Sequence, residues 1–500
     1  MDRASAASIR FAQHGLRLSA VAAAAVFVAG VSVALLLPTA QLQRIHAMSG
    51  AYDITIFRCA AQLIGHADPY RLEPLATCER QSPMFAEDSI APAPQPGYLL
   101  LALAPFASLP QVRFSFAWSV TTIASFILAA GLLARVSGLH GGLIFCCIAL
   151  GPGFENLVLG QLSAPVLLGI AASCYALRCG RPQLAALALG PALFEPHVAL
   201  PAYLALFVLV PRARLAAAFV GVTAIALSIV ATGAAAAWEY VRIVLPLQAL
   251  SEVPNADAQY SLSTLAAALG ASDAVAVRIG TIQYAAFAIG GIVLAKRLRT
   301  CFDEPAFVVA LPAAIAVIGG PFVHYSQTLA MLPALLLLMR YAAAAQRIFA
   351  TTALALYAVP WHIGGGVRFG TFSSLVVGLV VGAVLAGFER QSRLSLWATV
   401  TLPILGYFVF IHRIPNRVIG AIATSRDAFL RETTWAQSFP GVVWGLSTRA
   451  DHNTFTSFGV LVKIPTFVDY VLFAALIAME LGSRSARPSS QQHRTMALPP

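Results

Sequence analysis

Apolar runs of about 15–22 residues recur along the whole chain, and a helix that crosses a bilayer needs about 20 residues of this kind. No water-soluble fold hides so many of them. Charged side chains make up 11% of the 500 residues, where ordinary globular proteins carry roughly 25%, and the mean hydropathy is +0.78. The same composition excludes disorder, which requires low hydrophobicity and dense charge. The short alternating segments of a transmembrane β-barrel are missing. The chain therefore reads as an all-α polytopic membrane protein.

A formal net charge of +11 raises the question of nucleic acid, but the basic residues stand singly or in pairs at helix ends, as in the cytoplasmic loops of membrane proteins. No basic block interleaved with aromatics is present, so the expected partner is the lipid bilayer and not nucleic acid. The first apolar run, about 18–37, follows Arg3, Arg10 and Arg17. It exceeds the apolar core of a signal peptide, about 7–15 residues, and reads as a retained anchor with the amino terminus inside. Further spans are expected at about 114–134, 141–158, 162–178, 182–194, 196–211, 213–234, 275–295 and 305–321. The last are expected at about 325–341, 346–362, 369–388, 394–411 and 466–482.

Arg135, Arg178, Arg212, Arg299, Arg340, Arg390 and Arg484 then fall inside, giving 12–14 crossings and two cytoplasmic termini. Residues 182–211, broken by Pro191, Pro196 and Pro201, are short enough to be a hairpin that does not fully cross. Residues 97–109 are too short to span. The expected organisation is a single membrane domain over 1–485 and a disordered cytoplasmic tail over 486–500. Three outer segments, about 38–98, 236–274 and 412–465, are longer than simple connectors, and such loops tend to carry function.

Ionisable residues near membrane depth are the informative ones, because a charge there is costly unless it has work or a partner. Tyr52-Asp53 opens the first outer segment, with Arg58 five residues on. A carboxylate at that place can take a proton from an attacking hydroxyl, and Arg58 can offset charge on the carboxylate or on a phosphate. The alternative is a solvated acid capping a helix. Glu155-Asn156 and Gln161 sit between two spans, and Glu195-Pro196-His197 sits between two apolar halves, with a structural or a substrate-facing role open for each.

His324-Tyr325, with Gln327, follows a Gly-Gly-Pro turn where two spans meet. As an imidazolium, His324 can hold a phosphate through charge-assisted hydrogen bonds; otherwise it is a packing residue. The second outer segment adds Asn255, Asp257 and Gln259-Tyr260-Ser261-Leu262. Trp435, Trp444 and His452 in the third could stack on a glycan, form a lid or simply pack. Cys59 and Cys78 share the first outer segment, where an oxidising compartment permits a disulfide; two unlinked thiols are the alternative. No spacing marks a metal site.

In their order along the chain these pieces resemble the polyprenol-phosphate-sugar-dependent glycosyltransferases of family 87, whose best-known type is an α-1,2-mannosyltransferase. The matching pieces are Asp53, then Gly65 to Tyr70, the Pro105–Pro110 segment, Asn156-Leu157 with Gly160-Gln161, and the Pro-containing hairpin ending in Arg212 and Arg214. Tyr260-Ser261-Leu262 and His324-Tyr325 before Leu332-Pro333 complete the series. Two departures stand out. Glu195-Pro196 occupies a place where the family often has Lys-Pro, and Gln95-Pro96-Gly97 one where it often has Tyr-Pro-Pro. A changed charge in the hairpin bears on which sugar or acceptor is used.

The resemblance implies a GT-C-type helical bundle in a bacterial inner membrane, with its active site facing the outside. The implied reaction is inverting transfer of mannose or another hexose or pentose, such as arabinose, from a polyprenyl phosphate to a lipid or glycan acceptor in the cell envelope. Asp53 would be the general base, and His324 with Arg58 would bind the donor phosphate. Tyr52, Asn156, Gln161, Glu195, His197, Tyr260 and Tyr325 would contact substrate, and no metal or cofactor is called for. The alternative function is a transporter or flippase of lipid-linked sugars, although the inverted repeats common in transporters are not evident.

Overall fold

The computed structural model describes residues 19–29, 52–82, 93–252, 259–359 and 452–485, with residues 32 and 361 and parts of 402–423. Within them the chain is helical apart from one antiparallel pair of strands. Helix α1 (Ser19–Ala29) is followed by α2 (Tyr52–Gln62) and α3 (Leu72–Glu79), joined by a disulfide between Cys59 and Cys78. Next come α4 (Gly97–Ala107) and α5 (Gln111–Ser137). Helix α5 ends where Gly138 turns left-handed at φ 78°, a residue type that stops a helix at no steric cost.

Helices α6 (Gly141–Leu150) and α7 (Pro152–Leu159) form one apolar unit bent by 58° at Gly151. A β-carbon at Gly151 would stand 2.6 Å from the Tyr357 carbonyl oxygen, so only glycine allows that approach. Helix α8 (Ser163–Arg178) packs back along α5. The chain then forms α9 (Pro182–Ala188), a 3₁₀ turn, and α10 (Pro196–Leu209). Residues 211–213 return beside α9, and the Tyr203 hydroxyl donates to the Ala186 carbonyl at 3.1 Å. The segment 182–211 is thus a hairpin with Glu195 at its tip. Its 14-residue arm reaches about 21 Å at about 1.5 Å per residue, short of a hydrocarbon core about 30 Å thick.

Helix α11 (Arg214–Glu239) is kinked at Gly233, which takes φ 82°, and runs on through a π turn at Tyr240–Val244 into α12 (Leu245–Glu252). Much of the segment expected to be an outer loop from 236 is therefore helical, because Val241, Ile243, Val244 and Leu245 continue the apolar pattern. After α13 (Leu262–Ala268) come α14 (Asp273–Phe302), α15 (Phe307–Ile318), α16 (Leu332–Tyr341), α17 (Ala344–Tyr357) and α18 (Ser457–Ser485). Strands β1 (Val418–Ala423) and β2 (His452–Thr456) pair within the expected third loop. The proposed spans at 369–388 and over most of 394–411, the residues Trp435 and Trp444, and the tail 486–500 lie outside the described residues.

Burial sorts these helices by depth. Helices α15 and α16 are apolar all round and almost wholly buried, the mark of a central helix. The long helix over Pro211–Leu250 has only 11% of its most apolar window buried, and Ala274–Phe302 only 17%. Leu215, Val230 and Ile282 are 87%, 76% and 71% exposed, a surface that suits lipid and not water. Among the described residues four helices are long and apolar enough to cross a membrane, five with the bent α6–α7 unit, and shorter apolar helices fill in between. Sequence alone drew several of these broken units as full crossings.

The bundle has two unlike ends. Helix α5 starts where the Gln111 side-chain amide donates to Thr55 on α2 and finishes beside Arg178, whose guanidinium donates to the Val136 carbonyl. Its 27 residues separate these points by about 40 Å. Arg340 also donates to the Val136 carbonyl, at 2.6 Å, and Arg178 lies 3.8 Å from Glu304. Arg178 and Arg340 meet beside Val136 at this end, while Asp53 lies at the other, where Arg58 and Arg113 stand at the start of α5.

Candidate active site

Three separate stretches of chain converge on Asp53. It stands in the first turn of α2 and is 4% exposed. The Gln161 side-chain amide donates to Asp53 Oδ2 at 2.5 Å, while Gln161 Oε1 accepts from the Ser326 hydroxyl at 3.2 Å. The Trp118 indole N–H of α5 donates to the Gln161 carbonyl at 3.3 Å. Burial pushes Asp53 up to about 7, with Glu252 and Glu155 adding to the shift and His324 and Gln161 opposing it.

The residue before Gln161 sets this geometry. Gly160 closes α7 in the left-handed region at φ 74°, and a β-carbon there would lie 2.9 Å from the Ile54 side chain, next to Asp53. Gly160→Ala is expected to cost about 1–3 kcal/mol through the backbone alone, and more from displacing Ile54. A thermal-unfolding scan in detergent checks this: the midpoint should fall by several degrees, and an unchanged midpoint would contradict the packing described.

His324 is held by a second cluster. Its Nε2 lies 3.3 Å from Glu252 Oε1 and 3.2 Å from Gln259 Nε2. Gln259 donates to Glu252 Oε2 at 2.6 Å and accepts from the Val323 backbone N–H at 2.7 Å. The Tyr260 N–H donates to the Val323 carbonyl at 2.8 Å, and the His324 N–H donates to Gln327 Oε1 at 3.0 Å. Burial opposes the imidazolium, but Glu252, helped by Asp53 and Glu155, outweighs it and raises His324 to about 9. The Glu252 carboxylate thus favours the protonated form of His324.

A cavity of about 460 Å³ joins the two clusters, lined by Asp53, Gln161, Glu252 and His324 together with Glu195 and His197 from the hairpin tip. The Ser163 hydroxyl donates to Glu195 Oε1 at 2.6 Å. Such a chamber sets a partly protonated carboxylate and a cation around one space, which suits displacement of a charged leaving group by a hydroxyl.

Other residues singled out from sequence lie off the lining. The Arg58 Nε donates to the Leu109 carbonyl at 3.0 Å and its Nη1 to Gln111 Oε1 at 3.3 Å, so it ties α2 to the start of α5. Asn156 is fully buried in α7, with no hydrogen-bond partner for its side-chain amide. Tyr325 donates to the Val359 carbonyl at 2.5 Å and packs at 5.6 Å against Tyr260, beneath the His324 turn. Tyr52 opens α2. Glu252 escaped the sequence reading; an acid ending a long apolar helix was its only signal. Asn255 and Asp257 lie outside the described residues.

Residues 95–321 match the model of glycosyltransferase family 87, a family of the GT-C type. That stretch, a little under half of the chain, is similar to the family. No curated protein and no solved structure matches it. The family 87 match takes in Gln161, Glu195, His197 and Glu252 and stops short of both Asp53 and His324. Their place in the site therefore rests on the shared cavity.

Proposed function

We propose that the protein moves a sugar from a polyprenyl phosphate to a lipid or glycan acceptor at the outer face of the membrane, with inversion at the anomeric carbon. The carrying observation is that Asp53 and His324, remote in sequence, line one cavity at the end of the bundle opposite the Arg178–Arg340 cluster. Clustered Arg marks cytoplasmic ends, which supports an outward-facing site.

In the step proposed, the acceptor oxygen attacks the anomeric carbon and its proton passes to Asp53. The bond from that carbon to the phosphate oxygen breaks, and the electron pair leaves on the lipid phosphate. The His324 imidazolium meets the charge that develops there, the kind of fixed electrostatic help that lowers such barriers. Gln161 positions the base and Glu252 keeps the imidazole protonated.

Product configuration tests this directly. A β-linked polyprenyl-phospho-sugar labelled at its anomeric carbon is expected to give an α-glycoside by NMR. A retained β-linkage would exclude direct displacement with Asp53 as base.

A further inference from the structure

The groups around His324 form a cradle for an anion. His324 Nε2, a donor in the imidazolium, stands 3.3 Å from Glu252 Oε1. The Gln259 amide nitrogen stands 3.2 Å from the same Nε2 and donates to Glu252 Oε2 at 2.6 Å. Two neighbouring donors thus close on one carboxylate, an arrangement that suits two oxygens of a phosphate equally well. The Nε2 donor that would meet a donor phosphate is therefore already given to an acid of the chain itself. The surrounding charge sharpens the conflict. Asp53, Glu195 and Glu252 bring three carboxyl groups to the cavity, and no Lys or Arg stands among the described residues of its lining. Burial holds the His197 imidazole down to about 4. A phosphate that enters with Glu252 in place meets a cation already paired and like charge beside it.

The acid rides on an arm built to yield. Upstream the chain is tied down: Glu239 meets Arg71 at 2.7 Å, and the Tyr240 hydroxyl donates to the Pro94 carbonyl at 3.0 Å. Between these anchors and α12 lies the π turn Tyr240–Val244, a wide turn of a kind frequent at functional sites. Helix α12 has eight residues and ends on Glu252. Among its described side chains only Ala249 and Glu252 are buried. The contacts of Glu252 with His324 and Gln259 pin the far end of this arm.

We propose that Glu252 is an internal stand-in for the donor phosphate, a latch that holds His324 and Gln259 until a lipid phosphate displaces it and α12 swings aside on the π turn. This rests on the transferase reading above and adds how the site is regulated. The latch keeps a buried imidazolium paired, which matters because a lone buried charge is costly. Exchanging one anion for another preserves that pairing throughout. Opening is thereby tied to the phosphate, since an uncharged polyprenol offers nothing to replace the carboxylate.

Spin labels read the movement without turnover. Full-length protein in lipid nanodiscs, with the accessible Cys146, Cys179 and Cys301 changed to serine, is labelled at Leu250→Cys on α12 and Val222→Cys on α11. Polyprenyl phosphate is expected to shift the label-to-label distance, polyprenol to leave it unchanged, and His324→Ala to abolish the shift. In the same nanodiscs Glu252→Gln should bind polyprenyl phosphate about tenfold tighter, because a neutral amide competes less well for the two donors. Each protein is compared at its own pH of tightest binding. Wild-type binding with no shift, or an equal shift with polyprenol, would overturn the latch and leave the transferase reading standing. Equal or weaker binding by Glu252→Gln would do the same. Tighter binding by that variant beside an unmoved wild-type arm would make Glu252 a repelling charge and no latch. Failure of the wild-type protein to bind polyprenyl phosphate would overturn both readings. Should Glu252→Gln not fold, the distance measured with Glu252 in place decides.

Discussion

Asp53→Asn is expected to lower turnover by about 10²–10⁴, the range general-base catalysis contributes, while donor affinity stays within a few-fold. Asparagine has nearly the same shape, and its Oδ1 can still accept from Gln161, so the junction of α2 with Gln161 is preserved. What it cannot do is take a proton from the acceptor hydroxyl. Single-turnover transfer measured beside donor-lipid binding separates the two effects. A variant that keeps wild-type turnover would remove Asp53 from the chemistry, and one that loses binding and turnover together would make it a structural residue.

The second large effect concerns His324. Asp53 must be unprotonated to act as base, so the rate should rise with pH through about 7. His324 must be protonated to meet the phosphate, so the rate should fall as pH rises past about 9. A bell with those limbs is expected for the wild-type protein. His324→Ala should cost about 10²–10³ in turnover, as loss of one such electrostatic group does elsewhere, and should abolish the alkaline limb. Glu252→Gln removes the main support of the imidazolium and should move that limb to lower pH with His324 still in place. An alkaline limb that persists in His324→Ala would assign it to another group.

How far the sequence foretold this arrangement depended on the range of the interaction. Apolar runs declared the membrane bundle, because lipid imposes a local rule on each helix. Pro196 marked the hairpin tip in the same way. The ends of helices were less legible: Trp238-Glu239-Tyr240 looks like the start of a loop, yet the helix carries on and delivers Tyr240 and Glu252 to the cavity. Asp53, Glu195 and His324 could be picked singly as costly residues near membrane depth. Their partners could not, since Asp53 lies 108 residues from Gln161 and His324 lies 72 from Glu252.

Arg58 shows the opposite error. Five residues beyond Asp53 seemed near enough to share its charge. On a helix, neighbours on one face are three or four apart, and five places Arg58 on another side of α2, where it meets Leu109 and Gln111. Reading the segment as a loop hid that periodicity. Gln95 and Glu195, noted as departures from the usual family motifs, converge on one cavity wall. Only the folded chain brings them together.

The most direct measurement of the central claim is release of polyprenyl phosphate by the purified protein in lipid, over a panel of polyprenyl-phospho-sugars, beside the Asp53→Asn variant. Release with at least one neutral-sugar donor, lost in the variant, is the predicted result. Binding of such lipids with no release and no transferred sugar from any donor, across a range of acceptors, would contradict transfer and favour a carrier of lipid-linked sugars.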